Sequence, residues 1–132
     1  MATIPIGANG EHTTLVTSEL AIDFLGVEGA RVLATPHLIG LLEMTARNAI
    51  KPYLDDGFDT VGSRVDVRHL AATPMGMSVT FRAEIIAVEE RRVTCRVEAR
   101  DEKEKIAEGT HERAVVNVAR FATRVQAKAA RI

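Results

Sequence analysis

His69, Glu43 and Thr35 are reactive side chains set where the surrounding sequence pattern is structural. His69 falls in phase with Val65 and Val67 on the apolar face of an alternating stretch, and an imidazole there titrates near neutrality and can carry a proton at ordinary pH. A core histidine satisfied by backbone would occupy the same position. Glu43 lies at the border of a helix's apolar face, where partial burial sharpens a carboxylate's reactivity and suits it to attack a carbonyl or to position water. Arg47 follows it at i+4 in the favoured order, so a solvated surface pair is the competing account. Thr35 precedes Pro36 at the start of that helix, a place that N-capping alone explains. The free N–H groups of a helix N-terminus also suit a developing oxyanion. A base, a carboxylate and oxyanion donors are together what hydrolysis at an activated carbonyl requires.

Gly62 and Arg113 each have a ligand reading and a structural one. Gly62 stands near the start of the His69 stretch, where a missing side chain admits ligand or backbone closely, or marks a bulge. Its alternation phase is opposite to that of His69. Arg113 shares a strand face with His111 and Val115, and an arginine on a mainly apolar face calls for a carboxylate or phosphate partner, from a ligand or from the protein itself. His37 and His111 make no recognisable metal set with any cysteine or carboxylate, so no metal is expected. The chain has no Gly-rich phosphate loop and no serine in a nucleophile-elbow pattern. Arg120, Arg124, Lys128 and Arg131 near the C-terminal end could meet phosphates, although a solvated end accounts for them too.

These residues must be positioned by a helix and a set of strands. Thr35-Pro36 opens a helix, Leu38, Leu41, Leu42, Thr45, Ala46 and Ala49 give it a broad apolar face, and Lys51-Pro52 with Asp55-Asp56-Gly57 ends it. Beyond it the period becomes alternating. Val61, Ser63, Val65, Val67 and His69 share one strand face; Met77, Val79, Phe81, Ala83 and Ile85 form the next; Val93, Cys95, Val97 and Ala99 a third. A last strand is expected from about Ile106 to Phe121, and Thr13 to Val16 can open a first one. One helix followed by long strands with single apolar faces and short turns implies an α+β fold, an antiparallel sheet wrapped around one central helix. Such a sheet leaves long edges uncovered, so pairing with a second copy is expected.

A length of 132 residues fits one domain, here 1–132, with 1–12 a loose lead-in and 122–132 a basic tail that is frayed or a short helix. Hydrophobic residues make up 46% and charged residues 27%, which excludes a disordered or collagen-like chain. Seventeen basic residues against eighteen acidic give no electrostatic reason to expect a nucleic-acid partner. Cys95 is the only cysteine, which excludes an internal disulfide and suits a reducing compartment. No leader pattern opens the chain and no stretch reaches the roughly 18 apolar residues of a membrane span, so the expectation is a cytoplasmic protein with no membrane partner.

Ala34-Thr35, Gly40-Leu41-Leu42-Glu43 and Pro52-Tyr53-Leu54 are followed by His69, Ala71-Ala72-Thr73-Pro74, Gly76 and Gly109-Thr110-His111-Glu112-Arg113-Ala114-Val115. In that order these motifs resemble the fluoroacetyl-CoA thioesterase family, over roughly Val32 to Phe121. The resemblance implies a hotdog fold, a homodimer, and hydrolysis of a short acyl-CoA to the free acid and coenzyme A. It implies no metal or redox cofactor, coenzyme A being part of the substrate. By position, the family's catalytic threonine, glutamate and histidine fall on Thr35, Glu43 and His69, and its substrate-contacting glycine and arginine on Gly62 and Arg113. The segment Ser18 to Val32 is shorter than in the family's defining member, whose phenylalanines form a lid over the acyl group, and it holds only Phe24. Competing readings are a non-catalytic acyl-CoA binder and a hotdog hydratase or dehydratase, since a fold does not fix a reaction. The joint presence of Thr35, Glu43 and His69 argues against the binder.

Overall fold

The computed structural model describes residues 3–130. Its elements are β1 (Asn9–Leu15), α1 (Thr35–Ile50), β2 (Phe58–His69), β3 (Ser78–Glu89), β4 (Arg92–Arg100), β5 (Lys105–Asn117) and α2 (Val118–Ala130), with short 3-10 turns at Ser18–Leu20, Glu28–Ala30 and Lys51–Tyr53. The strands form one sheet in the order β1-β3-β4-β5-β2, every neighbouring pair antiparallel.

One face of the sheet packs on α1. Leu38, Leu42, Ala46 and Ile50 of the helix join Val79, Phe81, Ala83 and Ile85 of β3 and Val93, Cys95, Val97 and Ala99 of β4 in a single buried cluster. Each larger member contributes about 1.5–3 kcal/mol by leaving water. The opposite face is charged, with pairs such as Glu84–Arg96 at 2.9 Å and Glu11–Arg82 at 3.4 Å. Exposed pairs of this kind are worth about 0–1 kcal/mol each, so they keep the face soluble more than they hold the sheet together. No helix among the described residues is long and apolar enough to cross a membrane.

The ends differ from the expected pattern. β1 begins at Asn9, inside the stretch expected to be loose, because its ladder to β3 starts there with Asn9 opposite Glu84. β5 stops at Asn117 and does not reach Phe121. The Asn117 side-chain oxygen accepts from Arg120 N at 3.0 Å, an N-cap that turns the chain into α2. The basic tail is therefore helical to Ala130; Arg131 and Ile132, like Met1 and Ala2 of the lead-in, lie outside the described residues.

A bulge in β2 decides which side chains face the helix. Gly62 lies opposite Arg113 and Arg64 opposite Glu112, leaving Ser63 as the inserted residue, its hydroxyl donating to Glu112 O at 3.1 Å. Simple alternation put Val61 and Ser63 on the face of His69. The bulge instead puts Thr60 and Gly62 there with Val65, Val67 and His69, because an extra residue reverses the phase on one side of it.

Candidate active site

The helix start is built differently from a Thr-Pro cap. Ala34 is the N-cap, with an extended backbone and no side-chain bond, and Thr35 is the first helical residue with Pro36 next. The Thr35 hydroxyl is thereby released from capping and shares a hydrogen bond of 2.8 Å with His69 Nδ1. Backbone pairing enforces this meeting: Leu33 N donates to Thr73 O at 2.9 Å and Val32 bridges Pro74, so the approach to α1 runs beside the loop that follows His69. Thr73 is itself fully buried and donates to Asp101 Oδ2 at 2.9 Å, which fixes that loop. Burial pushes the His69 pKa below its ordinary value, with the backbone of Ala71 opposing it, and among the described residues the buried Nε2 has no hydrogen-bond partner. The first intrahelical bond runs from Leu38 N to Ala34 O, so the N–H groups of Thr35 and His37 precede the helical ladder.

An open cleft of about 400 Å³ lies against this pair, lined by Ile22, Phe24, Val32, Leu33, Thr35, His69 and residues 70–72. Its outer wall is the strap from Ser18 to Arg31. Arg31 ties the strap to itself, donating from Nε to Ile22 O at 3.0 Å and from Nη2 to Ser18 O at 3.0 Å. Phe24 stands on that wall 78% exposed, where it borders the cleft without closing it. A cavity of about 280 Å³ on the outer sheet face, among Arg82, Glu84, Arg96 and Glu98, holds none of the candidate residues.

Glu43, Gly62 and Arg113 form a second group further along α1. Arg113 is buried on β5, donating from Nε to Thr60 Oγ1 at 2.7 Å and from Nη2 to Thr60 O at 2.8 Å. Its Nη1 lies 3.5 Å from Glu43 Oε2. Burial pushes the Arg113 pKa down while Glu43 holds it up, the pattern of a cation withdrawn from water beside a carboxylate. Gly62 is the floor beneath Glu43: a Cβ there would collide with Glu43 Oε2 and come within 3.2 Å of His111 Cε1. Glu43 does not pair with Arg47. The Arg47 guanidinium instead grips Asp59 at 3.0 and 2.6 Å, and its hydrogen bond draws the Asp59 pKa down to about 2.

The candidates thus fall into two sets. Thr35 and His69 touch each other, Glu43, Gly62 and Arg113 converge, and two turns of α1 separate the sets, about 12 Å along its axis. Thr60, His111 and Arg31 were not foreseen as site residues. The pattern Thr-His-Glu-Arg had placed His111 in phase with Arg113, and that signal alone pointed to it.

A sequence model of the fluoroacetyl-CoA-specific thioesterase family matches residues 16–119. The chain is 43% identical over 101 residues to the fluoroacetyl-CoA thioesterase of Streptantibioticus cattleyicolor, covering 76% of this chain and 73% of that protein. A solved structure of the fluoroacetyl-CoA thioesterase FlK superposes with a TM-score of 0.86 at 36% identity, over 96% of this chain and 98% of that one. The crystal structure of a Thermus thermophilus thioesterase superfamily member superposes with a TM-score of 0.90 at 32% identity, over 99% and 97%. With its antiparallel sheet around one helix, the chain has the hotdog fold and belongs to the fluoroacetyl-CoA-specific thioesterase family.

Proposed function

We propose that this protein hydrolyses a short acyl-CoA thioester to the free acid and coenzyme A, and that it does so as a homodimer whose sites each draw on both chains. The observation that carries the reading is the 2.8 Å hydrogen bond between Thr35 Oγ1 and His69 Nδ1 in the wall of a cleft at the N-terminus of α1. A neutral His69 with its proton on Nε2 accepts the hydrogen bond of the Thr35 hydroxyl at Nδ1 and so fixes the oxygen. The N–H groups of Thr35 and His37, with the positive end of the helix dipole, favour charge on the thioester oxygen. Glu43 supplies the carboxylate: either it attacks the carbonyl carbon and expels the thiolate, leaving an anhydride that water cleaves to the free acid and the restored carboxylate, or it takes a proton from the water that attacks the carbonyl and expels the thiolate. Solvent oxygen label found on Glu43 after a single turnover distinguishes direct attack. An FlK variant has been solved with fluoroacetate and CoA bound, which supports a CoA thioester as the substrate here.

Distance supports the two-chain site. Thr35 and Glu43 stand eight residues apart on α1, about 12 Å along its axis, which supports a Glu43 supplied to each cleft by the second chain. β2 ends the sheet order, so among the described residues one of its long edges is unpaired, and Val65 and Met44 are 41% and 45% exposed. Antiparallel pairing of two such edges about a two-fold axis near the middle of β2 carries the His69 end of each strand toward the Gly62 region of the other.

Incubation with a panel of acyl-CoAs is expected to release free thiol. Saturable binding without thiol would favour a non-catalytic binder, and a change in enoyl absorbance without thiol a hydratase. Because burial lowers the His69 pKa, the acid limb of kcat is expected below pH 6.5, with activity lost as the imidazole protonates. Thr35→Ala should lower kcat about a hundredfold. It should leave the melting temperature nearly unchanged, since the hydroxyl caps nothing. Equal loss of rate and melting temperature would make Thr35 structural. Mixing His69→Ala and Glu43→Gln protomers should restore about a quarter of the wild-type rate, because half the dimers are mixed and each mixed dimer holds one whole site. No recovery would place each site within one chain.

A further inference from the structure

His111 is fully enclosed, 2% exposed, and both ring nitrogens are engaged. Nδ1 lies 2.8 Å from Arg64 O, the carbonyl directly after the bulge, and Nε2 lies 3.1 Å from Arg113 Nη1. A carbonyl only accepts and a guanidinium only donates. Nδ1 must therefore carry the proton, and Nε2 must present its lone pair to Arg113. The ring is neutral by geometry. Burial also pushes its pKa below the ordinary value.

This fixes the guanidinium on all sides. Nε and Nη2 are held by Thr60, and Nη1 is held by His111 on one side and faces Glu43 Oε2 at 3.5 Å on the other. Glu43 Oε2 is 3.8 Å from His111 Nε2, beyond a hydrogen bond, and a neutral Nε2 has no proton to offer it. His111 thus acts on Glu43 through Arg113. The bulge matters twice: it brings Gly62 under the carboxylate and aims the Arg64 carbonyl at His111.

We propose that His111 is a positioning residue: as the neutral Nδ1–H tautomer it couples the carbonyl at the β2 bulge to Arg113 and so sets the Glu43 carboxylate in its reacting place. The proposal rests on the reading of Glu43 as the reacting carboxylate. His111→Gln keeps an acceptor for Arg113 but loses the bond to Arg64 O, whereas His111→Leu removes both.

The test combines kinetics with a readout that needs no turnover. With thiol release as the assay, His111→Leu is expected to lose about thirtyfold in kcat with KM changed less than threefold, and His111→Gln to recover to within about fivefold of wild type. Wild-type kcat in a folded His111→Leu protein, or equal loss in both variants, would overturn the proposal. Nitrogen-15 spectra of the wild type should show His111 protonated on Nδ1 and bare on Nε2 from pH 8 to pH 6. They should also show a slowly exchanging Arg113 Nε–H that persists in His111→Gln. A proton on Nε2, or an imidazolium, would overturn the proposal whether or not His111→Leu folds. Absence of thiol release by the wild type with the spectra as expected would instead refute the thioesterase reading and leave the His111–Arg113 coupling standing.

Discussion

Glu43→Gln is expected to lower kcat about a thousandfold while the protein stays folded at assay temperature, within the range for removing a positioned acid–base or nucleophilic group. The argument starts from what surrounds the carboxylate. A glycine stands beneath it where a Cβ would strike Oε2, and a buried arginine faces it at 3.5 Å. Its side chain nevertheless remains 39% exposed, so it is held from below and open above. Glutamine keeps the volume and removes the charge. If Glu43 served only to neutralise Arg113, the substitution would lower the melting temperature and spare the rate, since a buried cation would lose its counter-charge. The half-open setting makes that structural loss small, a few degrees, and Arg113 keeps its bonds to Thr60 and His111. Glu43→Asp separates the accounts further: it returns a negative charge near Arg113 but withdraws the oxygens by one methylene. Melting temperature should recover there and kcat should not. Recovery of both, measured by calorimetry and thiol release on the same preparations, would sink the catalytic reading.

The helix face and three of the strand faces were legible because burial imposes its period on the sequence: Leu38, Leu42, Thr45, Ala46 and Ala49 are all buried, as are Val79, Phe81, Ala83 and Ile85. Polar partnerships were less so, because each depends on residues far apart in the chain. Thr35 reads as a cap until a hydroxyl acceptor arrives from His69 on β2, and Arg47 reads as a partner for Glu43 until Asp59 presents both carboxylate oxygens. The bulge is a subtler loss. Gly62 marks a bulge as one of its two readings, but in an edge strand exposed over much of its length the apolar pattern does not show that Ser63 is the inserted residue, whose insertion reverses the phase and carries Gly62 to the face of His69. At the C-terminal end, apolar residues continue past Val115 and Val116 to Val118 and Phe121, so the sequence shows no plain stop at the place where Asn117 caps α2.

Gly109→Ala is expected to destabilise the fold by about 3 kcal/mol, a fall in melting temperature of roughly 10 °C. Gly109 sits in the middle of β5 with Val97 of β4 on one side and Val67 of β2 on the other. A Cβ there would overlap the carbonyl oxygen of Asp66 and lie 2.7 Å from Val67 Cα. Both are backbone atoms in a hydrogen-bonded ladder, so relief requires β2 to move away from β5. Gly62 provides the matched control. The atom in its way is Glu43 Oε2, the end of a flexible side chain that can swing aside. Gly62→Ala should therefore melt near the wild type but lose turnover, since the displaced group is the proposed reacting carboxylate. Gly109→Ala should lose stability first, and because Val67 leads directly to His69, faster hydrogen exchange should extend along β2 to the cleft. Melting temperatures in the reverse order, with Gly62→Ala the less stable protein, would show that β2 yields more easily than Glu43 does, and would remove the bulge's claim to be built around that carboxylate.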